Sequence, residues 1–256
     1  MQIELIPTLE ILRDLYARPR DIARFRWYLE QMLGDTDDGD VDVVVPITWA
    51  NPMGKEHCLA AVQALLDIQA ESVAADAARE AGPDLADVDA RARLALVLLD
   101  DVAGGWTNRW LNEAGYRMCT DPRAQRSNRR RNFVIVPCWA SETYTPARIR
   151  IEVKAALHRY AHLHRHGMPR TLRDIMVMDG QARAFAGARP ALDPDDLAYT
   201  AVVIEPHRDS DDFPTQFACL FGDEAARNVG YRPMGLSPYA GFELALREAR
   251  PDTHNA

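Results

Sequence analysis

The chain has 256 residues, of which 47% are hydrophobic, so it can bury a sizeable core and disorder is not expected. The formal net charge of −8 argues against a nucleic-acid-binding protein whose whole surface forms the binding footprint. No apolar run approaches the roughly 20 residues of a transmembrane helix, and the first residues lack the basic and apolar regions of a signal peptide, so a cytoplasmic protein without membrane contact is predicted.

Cysteine and lysine usage narrows the chemistry further. The four cysteines are widely separated and form no Cys-x-x-Cys pair, which indicates neither a zinc knuckle nor a disulfide scaffold. Two of the 30 basic residues are lysines, Lys55 and Lys154, and the rest are arginines. An arginine at any one position is therefore weak evidence for a binding site. A lysine at a helix start is stronger evidence, because the sequence uses lysine so rarely.

Two helices and a strand are predicted at the amino-terminal end. Thr8 can cap a first helix and a second follows at helical spacing, so residues 1–34 are expected to form a helical pair packed on the core. Residues 41–47 are rich in β-branched side chains and contain a proline near their end, which predicts a first strand. A long helix is then predicted from Lys55 to about residue 81.

The apolar run at residues 94–99 is the most informative stretch of the chain. Its six aliphatic residues stop abruptly at Asp100 and Asp101, which indicates a strand buried on both faces. A glycine pair then permits a sharp turn before a polar helix start. A third apolar run, residues 133–137, also ends at polar side chains.

Helix-length segments separate the three apolar runs, so we predict an α/β fold with a small, mostly parallel sheet of about three strands, flanked by helices. Helical patterns without a convincing strand follow to the carboxyl end. The predicted organisation is therefore an α/β core at residues 41–167 and a helical C-terminal layer or cap at residues 168–250.

Three predicted strand exits, at residues 51–57, 100–109 and 138–145, each turn into a helix. If the strands are parallel neighbours, these exits lie along one edge, where helix amino termini favour an anion. Asp100, Asp101 and Glu142 are candidate general bases or oxygen ligands of a divalent metal. The candidate substrate-binding residues at these exits are Asn51, Lys55, Trp106, Asn108 and Arg109. The alternative is that these side chains stabilise turns and carry surface charge.

Three histidines, His158, His162 and His166, lie four residues apart on a helix predicted from Pro146. This spacing can place two imidazoles on one metal ion, so His158 and His162 are candidate metal ligands. The alternative is that the histidines interact with the carbonyl dipole in the last turns of the helix.

An arginine-rich segment at residues 123–131 is expected to be an exposed loop. It lacks the interleaved aromatic residues that stack on bases, so sequence-specific nucleic-acid binding is not expected.

Two classes of function fit these patterns. The first is an enzyme or ligand-binding protein that acts on a small anionic molecule, bearing phosphate or carboxylate, at the carboxyl-terminal edge of the strands, with a divalent metal as candidate cofactor. The second is a non-catalytic interaction protein that uses the helical C-terminal third or the arginine-rich loop. The sequence leaves open the reaction, the substrate and the oligomeric state.

Overall fold

The computed structural model describes residues 1–35, 41–102, 107–119 and 130–250. The predicted site residue Trp106 and residues 123–129 of the arginine-rich segment lie outside these ranges. By compactness the chain divides into two units, the first being Met1–Arg109 with Asn128–Val153 and the second Trp110–Ser127 with Lys154–Ala256. The three-segment organisation expected from the sequence stays a prediction.

The strands found in the described part of the chain lie in the first unit. In chain order they are β1 (Gln2–Leu5), β2 (Leu33–Asp35), β3 (Val41–Val43), β4 (Arg91–Leu99) and β5 (Phe133–Trp139). The main sheet has the order β1-β4-β5 and both of its pairings are parallel. β2 and β3 form a separate antiparallel pair.

Helices make up most of the remaining described chain. The first five are α1 (Leu9–Ala17), α2 (Ile22–Met32), α3 (Glu56–Asp67), α4 (Ala70–Ala81) and α5 (Arg109–Arg117). The later ones are α6 (Pro146–His166), α7 (Leu172–Phe185), α8 (Pro194–Ile204), α9 (Phe213–Phe221), α10 (Asp223–Asn228) and α11 (Ala240–Ala249).

The predicted fold class is confirmed, because a three-stranded parallel sheet is flanked by helices and the C-terminal third is helical. The membership of the sheet is corrected. Residues 41–47 were expected to supply its first strand, but Val41–Val43 pairs with β2 instead, and Gln2–Leu5 takes the edge position beside β4. The short alternation of polar and apolar side chains in β1 suits an edge strand with one face on the core.

The central strand β4 supplies the core of the first unit. All six residues 94–99 are at most 1% exposed, as the uninterrupted apolar run predicts for a strand covered on both faces. Burial of an aliphatic side chain of this size contributes about 1.5–3 kcal/mol to folding. Stable packing of β4 therefore fixes the position of Asp100, the first residue after it.

One long helix from Lys55 to about residue 81 was expected, and the structure shows two. The break falls at Gln69, whose φ of +53° places it in the left-handed region and ends the α3 hydrogen-bond ladder. Among the described residues, no single helix is long and apolar enough to cross a membrane, and α3 with α4, bent by 52°, pass that test only as a pair.

The amino terminus of α1 is stabilised from a distance. The backbone N–H groups of Thr8 and Leu9 donate to Oε1 of Glu71, on α4, at 2.7 and 2.9 Å. Thr8 was expected to cap this helix with its own side chain, but its hydroxyl donates to the carbonyl of Leu96 in β4. The carboxylate of Glu71 therefore takes the place of a local cap.

The second unit is built around buried aromatic side chains and one buried ion cluster. Phe217 stacks on Phe221 with ring centroids 4.6 Å apart, and both are fully buried. The carboxylate of Asp179, on α7, is also fully buried and accepts from Arg117 at 2.7 Å and Arg159 at 2.8 Å. The attraction between the carboxylate and the two guanidinium groups offsets the free-energy cost of removing these charges from water.

Candidate functional site

The loop that leads into α3 brings a polar group against the end of β4. Asn51 is buried, and its side-chain oxygen accepts from the backbone N–H of Met53 at 2.9 Å, an arrangement that stabilises a tight turn. This turn orients the Asn51 amide so that Nδ2 donates to Oδ2 of Asp100 at 2.9 Å.

Asp100 is the centre of the site. Its carboxylate is fully buried, and Oδ1 lies 2.8 Å from Nε2 of His57, which is in the first turn of α3. Oδ1 also accepts from the backbone N–H of Val102 at 3.2 Å. Both oxygens are thus held in place by groups from α3, its preceding loop and the exit of β4.

Cys58 adds a thiol to the same place. Its Sγ lies 3.3 Å from Nε2 of His57, and the residue is fully buried. Burial, reinforced by the nearby charge of Asp100, raises the pKa of the Cys58 thiol to about 12. The thiol is therefore protonated at neutral pH unless a cation offsets the cost of the thiolate.

Tyr16 approaches from α1 with its hydroxyl buried and without a hydrogen-bond partner. Burial raises the pKa of this phenol, and the electrostatic influence of Cys58 and Asp100 raises it further. Gly54 makes this approach possible. A Cβ atom there would lie 2.6 Å from Cys58 Sγ and 2.9 Å from Tyr16 Cε1.

Arg24, on α2, also contacts this loop. It is 2% exposed, its Nη2 donates to the carbonyl of Gly54 at 2.9 Å, and its guanidinium lies 5.2 Å from the centroid of the Tyr16 ring. Burial lowers the pKa of Arg24. The buried guanidinium of Arg24 therefore holds the loop that carries Gly54 in place next to the His57–Cys58–Asp100 cluster.

His57, Cys58 and Asp100 form a group of convergent metal-ligand atoms. Their Nε2, Sγ and carboxylate oxygen atoms all lie within 4.8 Å of one another, and no other group of three His, Cys, Asp or Glu side chains does so in the described part of the chain. Imidazole, thiolate and carboxylate are the ligand types found on zinc. We call these three residues the triad.

A second polar cluster joins the exits of β4 and β5. Both carboxylate oxygens of Asp101 accept from Ser141, at 3.0 Å from the backbone N–H and 2.6 Å from the hydroxyl. Arg109 pairs with Asp101 at 3.3 Å and also with Glu142, which in turn pairs with Arg148. The cations and carboxylates here are largely matched with one another, so the cluster ties the two strand exits together.

The predicted site residues thus fall into different surroundings. Asn51 and Asp100 are in direct contact at the triad, while Arg109 and Glu142 form an ion pair in the second cluster. Lys55 occupies the N-cap position of α3 and is exposed, and Asn108, just before α5, is also exposed. The expectation that these residues line one cleft stays a prediction.

The histidine stripe on α6 has a different character. The ring of His158 packs 5.0 Å from the ring of Phe185, and its buried Nδ1 has no hydrogen-bond partner. The rings of His162 and His166 lie 4.6 Å apart. Within the described residues, neither His158 nor His162 belongs to a group of three convergent metal-ligand side chains.

Sequence reasoning does not identify His57, Cys58 or Tyr16 as site residues. The available signal was a His-Cys pair in the first turn of a helix that follows a polar loop, with a carboxylate at the end of the long apolar strand. Tyr16 carries no such signal, because its place on the apolar face of α1 is also that of an ordinary core residue.

Comparison with known proteins does not supply a relative: the chain matches no protein-family model, no curated protein and no solved structure.

Proposed function

We propose that this protein binds a transition metal ion of the zinc type through His57, Cys58 and Asp100, and that the bound ion takes part in chemistry on a small anionic molecule. The observation that carries the proposal is the convergence of three different metal-ligand atoms within 4.8 Å at the end of the central strand. A metal would supply a positive charge that polarises an oxygen of the substrate.

The distances suit this ligand set. Zinc bonds of about 2.0 Å to nitrogen and 2.3 Å to sulfur place tetrahedral ligand atoms roughly 3.5 Å apart. Nε2 of His57 lies 3.3 Å from Sγ of Cys58 and 2.8 Å from Oδ1 of Asp100. A small rotation that opens the shorter contact therefore admits the ion.

The surroundings of the triad also support a metal. Asn51 donates a hydrogen bond to Oδ2 of Asp100. In metal sites, hydrogen bonds of this kind orient the carboxylate that binds the ion. The unpartnered hydroxyl of Tyr16 can bond a water or substrate oxygen beside the ion. A bound metal cation offsets the cost of a buried thiolate, so Cys58 would lose its proton when the metal binds.

A three-residue ligand set is typical of catalytic rather than structural zinc, because structural sites are closed by four protein ligands. The remaining position would accept an oxygen of a phosphate or carboxylate. Acid–base roles for Asp100 and Glu142 stay predictions, and as a metal ligand Asp100 would act through the ion. A cytoplasmic setting belongs to the same proposal, since all four cysteines are free thiols.

The direct test is a metal titration of the full chain after dialysis against a chelator. Zn²⁺ is titrated in competition with a chromophoric chelator, and Co²⁺ is titrated while the near-ultraviolet thiolate-to-metal absorption is recorded. We expect one equivalent to bind, with the absorption that reports a Cys ligand. The variants Cys58→Ala and Asp100→Asn should bind at least about 100-fold more weakly, and Asn51→Ala about 10–100-fold.

The matched control is Cys138→Ala, which removes another fully buried thiol in the same unit. It should bind both metals like the parent. Absence of tight binding to the parent, or equal binding by Cys58→Ala and the parent, would overturn the proposal. On the Co²⁺-loaded protein, acetate should shift the visible absorption if an anion completes the coordination.

A further inference from the structure

An arginine-rich cleft lies at the amino-terminal end of β4, remote from the triad. Its volume is about 380 Å³. The charged residues that line it are Glu4, Asp42, Arg91, Arg93, Arg130 and Arg131. We propose that this arginine cleft binds a small phosphorylated molecule.

The strands of the main sheet position some of the charged residues of the cleft. Alternation along β4 puts Arg91 and Arg93 on one face, and the register sets Glu4 of β1 beside Arg93 and Phe133 of β5 on its other side. The guanidinium of Arg93 lies 4.9 Å from the centroid of the Phe133 ring, and its Nη2 donates to the carbonyl of Val44 at 3.0 Å. These contacts hold Arg93 in a fixed position at the cleft.

Two of the four arginines are matched by carboxylates. Arg91 contacts Glu4 at 2.5 Å, and Nε of Arg131 donates to Asp42 at 2.7 Å. Among the described lining residues, the formal charges therefore sum to a surplus of two positive charges, equivalent to Arg93 and Arg130. Arg130 is exposed, so its side chain can reach a ligand at the mouth of the cleft.

A phosphate group matches this surplus. It carries a charge of about −1.5 to −2 at neutral pH, whereas a single carboxylate carries one. The planar guanidinium fork donates two parallel hydrogen bonds to phosphate oxygens. The cleft also falls in the range of roughly 300–1,000 Å³ found for small-molecule sites, so it accommodates more than a bare phosphate.

A single-stranded nucleic acid fits the cleft less well. Such ligands are held by aromatic rings on which bases stack. No aromatic residue is among the described residues that line the cleft, and the neighbouring ring of Phe133 is 4% exposed and covered by Arg93. The formal net charge of −8 for the whole chain also opposes an extended polyanion.

This inference does not depend on the proposed metal centre. The triad contains Asp100, just beyond the carboxyl end of β4, and the cleft contains residues at the start of that nine-residue strand. A strand of this length spans roughly 30 Å. The two sites can therefore be tested separately.

The test is isothermal titration calorimetry of the full chain with inorganic phosphate and with pyrophosphate. The double variant Arg91→Gln/Arg130→Gln removes two exposed arginines of the cleft, and Arg13→Gln/Arg79→Gln removes two arginines on α1 and α4 with the same change in net charge. We expect the parent and the control to bind pyrophosphate alike. The cleft variant should bind at least about tenfold more weakly, the scale of a lost charge-assisted hydrogen bond.

Equal affinities for the cleft variant and the control would overturn the inference. So would tight binding of a single-stranded oligonucleotide by a protein that binds no pyrophosphate. Unfolding temperatures of the apo proteins show whether both double variants are folded. Cys58→Ala should keep the pyrophosphate response, so failure of the metal proposal and failure of this inference give different results.

Discussion

Nε2 of His57 lies 2.8 Å from Oδ1 of Asp100, although 43 residues separate the two along the chain. The contact joins the first turn of α3 to the end of the central strand. The carboxylate is fully buried and the imidazole is largely buried. Removing either partner should therefore cost more folding free energy than removing one partner of a surface contact. The relationship is therefore both a structural link and the frame of the proposed metal centre.

Replacement of Asp100 by Asn should destabilise the apo protein by about 1–3 kcal/mol, because a buried donor is left without its charged acceptor. The amide of Asn51, which now donates to Asp100, would face a group that is no longer acceptor-only. Urea unfolding of the metal-free protein measures the change. The exposed residue Asp89, mutated to Asn, should stay within about 0.5 kcal/mol of the parent. Equal stability of both variants would show that the Asp100 contacts contribute little.

Gly54→Ala should destabilise the first unit by about 1–3 kcal/mol, because the added Cβ overlaps Cys58 and Tyr16. Gly115→Ala offers a matched control, since a Cβ there meets no atom of the described residues within 4 Å outside the backbone of its own helix, α5. That variant should be more stable by about 0.5–1 kcal/mol, as expected for removal of a helical glycine. Thermal unfolding of both variants checks the opposite signs.

Asp179→Asn should cost about 3–5 kcal/mol at pH 7, because it leaves the guanidinium groups of Arg117 and Arg159 buried without their shared carboxylate. Burial opposes ionisation of Asp179, but the two arginines outweigh it and keep its pKa below the usual value. A depressed folded-state pKa gives stability that is present above about pH 4 and is lost as the pH falls further.

Urea unfolding between pH 7 and pH 3 therefore separates the parent from Asp179→Asn. The parent should lose more stability than the variant below about pH 4. The exposed carboxyl of Asp211, mutated to Asn, should leave both the stability and its pH dependence close to those of the parent. Parallel curves for the parent and Asp179→Asn would contradict the assignment.

His158 should make stability depend on pH in a higher window. Burial lowers its pKa to about 4, while an unfolded-state histidine titrates near pH 6.5. The unfolded chain thus binds more protons between these values, so stability falls as the pH drops from about 6.5 to 4. Because the ring is partly exposed, we expect a loss of about 1–2 kcal/mol rather than the full effect.

Substitution of His158 by Phe, which suits the contact with Phe185, should remove this loss. His207→Gln serves as the control and should retain it. Unfolding curves at pH 7, 6, 5 and 4 provide the measurement. A titration of the His158 ring by NMR near pH 6.5 in the folded protein would contradict the expectation.

The pattern of apolar and polar residues was sufficient to predict the central features of the fold. The uninterrupted apolar run at residues 94–99 identified β4, and the helix predicted from Pro146 is α6. Periodicity could not reveal that β1 rather than residues 41–47 joins the sheet, because four alternating residues are a weak signal and strand pairing is decided by tertiary packing.

The candidate site was predicted only in part for a related reason. Asp100 follows an unmistakable strand, so its position at the sheet edge could be inferred. Cys58 looks like an ordinary buried residue, and its meeting with Asp100 depends on the path of the loop before α3. Arg109 and Glu142 were expected at one edge and do meet, but as partners of each other.

The carboxylate of Glu71 that accepts from the first amides of α1 lies 63 residues downstream of Thr8. A nine-residue helix is marginal by itself in water, so α1 depends on contacts that form only after α4 is in place. During synthesis, α1 therefore becomes stable only after the ribosome has released α4. Closure of so long a loop belongs to the slower steps of folding.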